Sequence, residues 1–123
     1  MGDVVAEAVA TKKQWRATHR HARVSARKAR LVIDLIRGLH VNKAQDTLRF
    51  TRKRVSPLIA KVLASAIANA NEQEADVRAL YVAEARVDDG PFFRRWRPKD
   101  RGRAHEILKR MSHIIVVVEE RSA

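Results

Sequence analysis

GPFFRRWRPKDRGRA, residues 90–104, packs Gly90, Pro91, Pro98 and Gly102, three bulky aromatics and a dense run of cations into one short segment. On its N-terminal side the chain alternates: Leu80 and Val82 point one way, Tyr81, Ala83, Ala85 and Val87 the other. On its C-terminal side, residues 104–119 end in the run Ile114 to Val118, the β-branched composition of a strand covered on both faces. Two extended stretches around a turn-rich segment read as an antiparallel hairpin. If Gly90 pairs near Gly102, the turn falls around Trp96, and residues near 80 pair with residues near 112. Each leg is then roughly 15 residues, up to about 50 Å at ~3.3 Å per residue, against a radius of about 14 Å for so small a domain. Such a hairpin projects: the expected arm covers about 81–111, with its tip at about 92–99.

A free two-stranded ribbon is marginal in water, and Phe92, Phe93 and Trp96 on it invite aggregation. Both problems vanish when the arm is embedded in a partner. Arg94, Arg95, Arg97, Lys99, Arg101 and Arg103 suit phosphates, and the aromatics suit unpaired bases, so the pattern points to RNA rather than to a solvated charge run.

Upstream, the periodicity is helical. Residues 15–24 alternate loosely as a short strand, and Ser25 is placed to cap a helix over 26–37 on Ala26, Ala29, Ile33 and Ile36, with Val32 and Leu35 widening the stripe and Gly38 as its stop. Asn42 is the expected cap of a short helix through Phe50, with Ala44 and Leu48 inward. Ser56 is the expected cap of a third, with Pro57 in its first turn and a stripe of Ile59, Val62, Leu63, Ala66, Ile67 and Ala70. Helices first and strands after predict an α+β fold: three helices packed on a small antiparallel sheet, with a long projecting β-hairpin. Residues 1–13 lack a sustained pattern and read as a flexible tail before a single RNA-binding domain, 14–123.

The charge is segregated. The 123 residues carry 26 Lys plus Arg against 14 Asp plus Glu, a formal net charge of +12. Residues 11–30 hold Lys12, Lys13, Arg16, Arg20, Arg23, Arg27, Lys28 and Arg30 with no acid between them, and residues 91–103 hold six cations against Asp100. Residues 43–61 are also basic, whereas 72–89 hold six acids against two arginines. One edge and one arm are therefore laid out for a polyanion.

Other classes find little. The absence of cysteine removes disulfides and thiolate zinc sites and suits a reducing compartment. No signal peptide or membrane span is visible, so the expected location is the cytoplasm. His19 and His21 share a face if the strand is regular, but no suitable third ligand is near in sequence, so no metal or other cofactor is expected. Asp88 and Asp89 point to opposite faces of a strand and cannot converge on a substrate; pairing with arginine at the arm's neck suits them better. Four glycines offer no phosphate-cradling loop, and an enzyme is not expected. The alternative is a helix-turn-helix DNA-binding protein using residues 25–37 and 42–50, although AQDTLRF offers few side chains for base edges. A membrane role through the aromatic-basic arm ranks below both.

HRHARVSARKARLVIDLIRG (19–38), SAIANA (65–70), VDDGP (87–91) and RPKDRGRAHEILKRMSHIIVVV (97–118) together give the chain a family likeness. In these segments it resembles the L twenty-two family of bacterial large-subunit ribosomal proteins, from about Arg16 to Glu119. The resemblance implies a structural, non-enzymatic protein whose small body lies near the mouth of the nascent-chain tunnel and whose hairpin threads through ribosomal RNA to line it. It implies partners in large-subunit ribosomal RNA, other large-subunit proteins and the nascent chain, with no membrane and no homo-oligomer. Residues expected to meet RNA are Lys12, Lys13, Arg16, Arg20, Arg23, Arg27, Lys28, Arg30, Arg94, Arg95, Arg97, Lys99, Arg101, Arg103, Lys109 and Arg110. The tunnel-lining tip is expected at Phe92, Phe93, Arg94, Arg95, Trp96, Arg97 and Pro98, where this chain is bulkier and more basic than the small or aliphatic residues expected of the family.

Overall fold

The computed structural model describes residues 13–121. The expected tail through residue 12, Lys12 included, lies outside them. Strand β1 (Gln14–Ala22) leads into helices α1 (Ala26–Ile33), α2 (Val41–Phe50) and α3 (Ser56–Glu72). A short 3-10 turn, Val77–Ala79, then opens strand β2 (Leu80–Pro98), and a tight turn returns the chain along β3 (Ala104–Glu120). The sheet is antiparallel in the order β1-β3-β2, with α3 lying against β1 and β3 and α1 against β2. This is the α+β architecture that the periodicities predict.

Register explains the core. Val118, Val116 and Ile114 lie between Trp15, Ala17 and His19 on one side and Val82, Ala85 and Val87 on the other. With Leu80 and the helix residues Ile33, Ile59 and Leu63 they form one buried cluster. Ile115 and Val117 face away from the helices yet are only 6% and 7% exposed. Their same-face neighbours are Thr18, Arg16, Arg86 and Glu84, whose stems cover them while the polar heads reach water. The β-branched run is thus covered on both faces, on one of them by side chains alone.

Three irregularities overturn the strict alternation read from sequence. Between Val82 and Glu84 an extra residue enters β2 opposite Val118 and Val117, so Ala85 and Val87 join the same buried face as Leu80 and Val82. Between Asp89 and Phe92, Gly90 and Pro91 oppose Met111 alone; proline, with no N–H for the ladder, belongs at such a bulge. A Cβ on Gly90 would stand 3.1 Å from the Met111 carbonyl and 3.3 Å from the His113 ring, which is why glycine fits there. In β1 the ladder shifts between His19 and Ala22, where His21 takes φ 59° and its N–H donates to His113 Nδ1 at 3.1 Å. His19 and His21 accordingly do not share a strand face.

The hairpin register also differs from the glycine-to-glycine pairing expected above. Leu80 pairs with Glu120 rather than with a residue near 112, and Pro98 pairs with Ala104. Burial of Leu80 to Val87 against Ile114 to Val118 fixes this register, because any slip by one residue would turn the apolar set outward. Trp96 therefore lies within a strand, opposite Glu106. The turn is residues 99–103, with Arg101 at φ 62° and Gly102 at φ 70°, and the Lys99 N–H donates to the Arg103 carbonyl at 2.6 Å.

Helix ends follow the expected chemistry in part. The Ser25 hydroxyl accepts from the Lys28 N–H at 3.4 Å, as its position suggests. Helix α1 stops at Ile33 rather than residue 37: residues 34–38 tighten into turns that aim Gly38 (φ 82°) and Leu39 at Val82 in β2. Leu35 is left half exposed instead of widening the buried stripe, whereas Val32 and Ile36 are buried. His40, not Asn42, caps α2; its Nδ1 accepts from the Asn42 N–H at 3.1 Å and its Nε2 lies 2.7 Å from the Arg78 carbonyl, which requires the Nε2–H tautomer. Ser56 is the first residue of α3 rather than its cap, and its buried Oγ has no partner among the described residues.

Candidate nucleic-acid interface

A sheet of this order exposes two edges, β1 and β2, and residues of the helices and of the turns after α1 bond to both within the body. Asn69 Nδ2 donates to the Arg16 carbonyl at 3.1 Å on the β1 edge. On the β2 edge Gly38 and Leu39 bond to Val82, the Arg37 guanidinium donates to the Ala85 carbonyl at 2.6 and 3.2 Å, and Arg30 donates to the Val87 carbonyl at 2.9 and 3.1 Å. Each planar fork fits the carbonyls of an otherwise bare strand edge. Both guanidinium groups bend onto the sheet edge while their side chains stay half exposed. Arg30 also approaches Asp89 at 3.9 Å, and Arg86 pairs with Glu84 at 2.8 Å and Asp88 at 3.5 Å. The acids at the arm's neck thus do pair with arginine.

Beyond that neck the cover ends. β1 leaves β3 at Ser112, so from Met111 outward the arm is a two-stranded ribbon of Phe92–Pro98 against Ala104–Arg110. Phe92 and Phe93 are each 44% exposed and Trp96 is 66% exposed. Arg94 sits over the Phe92 ring at 5.8 Å and Arg95 over Phe93 at 5.5 Å, so cation and ring alternate on both ribbon faces. Arg94 additionally pairs with Glu106 at 2.9 Å. Arg97, Lys99, Arg101 and Arg103 stand exposed around the turn.

The body cations divide into two groups. Arg16 and Arg20 are exposed on β1, with Arg16 beside Val117 on the helix-free face of the sheet. Arg23 and Lys28 line a groove of about 930 Å³ between the body and the root of the arm, joined there by Lys53, Arg54, Arg95, Lys109 and Arg110. Val24, Leu31, Val55, Phe93, Leu108 and Met111 supply its apolar wall. Among the described residues no acid lines it. Lys13 and Arg27 are exposed outside it. Lys53 and Arg54 are not among the residues expected above to meet RNA; the excess positive charge of residues 43–61 is the signal that marks them. A shallower basic hollow, lined by Arg49 and Arg52 as well as Lys53 and Arg54, adjoins the start of α3.

Among the described residues no three His, Asp or Glu side chains gather as a metal site, and no helix is long and apolar enough to cross a membrane. What the surface offers is rows of cations with interleaved rings and an acid-free groove, the chemistry of phosphate and base contact. The family model described as Ribosomal protein L22p/L17e matches residues 17–119, nearly the whole described body and arm. The chain belongs to that family.

Proposed function

We propose, from membership of a structural and non-enzymatic ribosomal family, that this chain binds large-subunit ribosomal RNA through both its body and its arm. It acts as one RNA-binding domain, residues 14–123, with residues 1–13 as an accessory tail. Body and arm together hold RNA segments in place during subunit assembly, beside other large-subunit proteins. The outer part of the arm lines the nascent-chain exit tunnel, with Trp96 to Pro98 along its wall and the turn at 99–103 as its far end; Phe92 and Phe93, expected at the tip, lie at the arm's root. The supporting observation is the ribbon itself: exposed aromatics and cations on a two-stranded arm that has no core of its own.

The test is co-sedimentation with large subunits through a high-salt wash, together with binding of the purified chain to a large-subunit ribosomal RNA transcript. Affinity should fall linearly on a log–log plot against salt, with a slope of about −0.9 for each duplex phosphate neutralised. Release from subunits in the wash, or RNA binding insensitive to salt, would sink this reading. Nothing in the geometry favours the helix-turn-helix alternative, since α1 and α2 pack on the sheet.

A further inference from the structure

The groove at the arm's root combines two properties that no duplex uses together. Its seven cations take part in no ion pair among the described residues, whereas Arg30, Arg37, Arg86, Arg94 and Arg121 all have carboxylate neighbours. Its apolar wall includes Leu31, Phe93 and Leu108, three of the chain's exposed large hydrophobics. Leu31 is 63% exposed because α1 buries Ala26, Ala29, Val32 and Ile33 and leaves Lys28 and Leu31 together on its outward side. A paired helix presents phosphates and would leave this wall wet. An acid-free wall of cations disfavours an ordinary protein segment of mixed charge. A single unpaired nucleotide satisfies both properties, since its base is a flat apolar surface and its flanking phosphates are anions. The groove's volume of about 930 Å³ is ample for one such unit.

We propose that this groove receives one extruded nucleotide of ribosomal RNA, its base against Phe93, Leu31 and Leu108 and its flanking phosphates on Arg54 and Lys109. The proposal rests on the ribosomal RNA reading and adds a site to it. It also gives the 53–55 loop a task, which places RNA contact on the α2–α3 connection as well as on the arm and the 23–28 segment.

The experiment uses the full chain and two stem–loop RNAs, identical except that one carries a single bulged 2-aminopurine. The bulged RNA should bind more tightly and its fluorescence should be quenched on binding. The double variant Leu31→Ser/Phe93→Ser should lose at least about fivefold in affinity for the bulged RNA, the low end of one base stack, with its salt slope unchanged. Arg54→Gln/Lys109→Gln should instead flatten the slope by about two. All four positions are at the surface, and thermal melting of each variant reads out folding separately. Equal affinity for the two RNAs, with binding to the ribosomal RNA transcript retained, would overturn the nucleotide pocket and leave the ribosomal RNA reading standing. Loss of transcript binding by the unaltered chain would remove the parent reading itself. Photo-cross-links from the groove to a neighbouring protein rather than to RNA in assembled subunits would also overturn the pocket.

Discussion

Strands β2 and β3 pass through two environments without a break. From Leu80 to Asp89 and Ser112 to Glu120 they are one half of a core, roofed by helices, joined by a third strand and clamped along the outer edge by Arg30 and Arg37. From Phe92 to Pro98 and Ala104 to Arg110 they are a bare ribbon, with rings and guanidinium groups on both faces. Both halves are held by the same antiparallel ladder, bulged in the body and at the neck, but what covers it differs. The lesson is that hydrogen bonds set the shape of this hairpin while burial sets its stability, and the arm has the first without the second.

Removing the arm tests that division most severely. Replacing residues 92–110 by a short Asn-Gly turn, which keeps the observed register, should leave the body folded by circular dichroism. It should also remove several phosphate contacts' worth of salt dependence from RNA binding, measured by titration at several salt concentrations. A body that unfolds would show that the two halves are not separable. Next come matched truncations on the same strands. Ile114→Ala, in the fully buried half, should cost about 2–5 kcal/mol in denaturant unfolding, whereas Trp96→Ala should change stability by less than about 0.5 kcal/mol. Equal costs would erase the contrast. A smaller effect is expected from the double change Arg30→Met/Arg37→Met. Loss of the forks on the Ala85 and Val87 carbonyls should cost about 1–2 kcal/mol after discounting for half exposure, with concentration-dependent self-association as the freed edge finds other strands. The smallest is Ser56→Ala. Its hydroxyl has no partner among the described residues, so the change should be neutral or slightly stabilising by thermal melting.

Much of this was legible in the residues. The stripe of α3 and the run Ile114 to Val118 announce themselves because burial imposes a period on many residues at once. Single-residue events do not. The bulge near Ala83 is one extra residue, and it reverses which face Ala85 and Val87 occupy. Gly90 looked like a partner for Gly102, but a glycine marks any place of close approach, and here it passes the His113 ring. The turn instead uses Arg101 beside Gly102 in the left-handed region, where Gly, Asn or Asp would be the usual signal and arginine gives none. Arg30 and Arg37 as edge clamps depend on which carbonyls the fold brings near, and His40 caps α2 with a ring held by the distant Arg78 carbonyl, so local pattern does not reveal them. For the candidate interface, charge segregation marks the arm and the edge on which the exposed cations stand. The groove required knowing that the 53–55 loop comes to the arm's root.

The strand order has a consequence for biosynthesis. β3 is central in the sheet but last in the chain, and Gln14 meets its partner Glu119 only across almost the whole sequence. Until residues 112–120 have been made, β1 and β2 have no strand between them, although both legs of the arm are already present. The sheet therefore closes late and over long loops, the arrangement that makes for slow folding. A chain cut short before Ile114 would carry both legs of its RNA-facing arm on a body whose β1 and β2 still lack the strand that joins them.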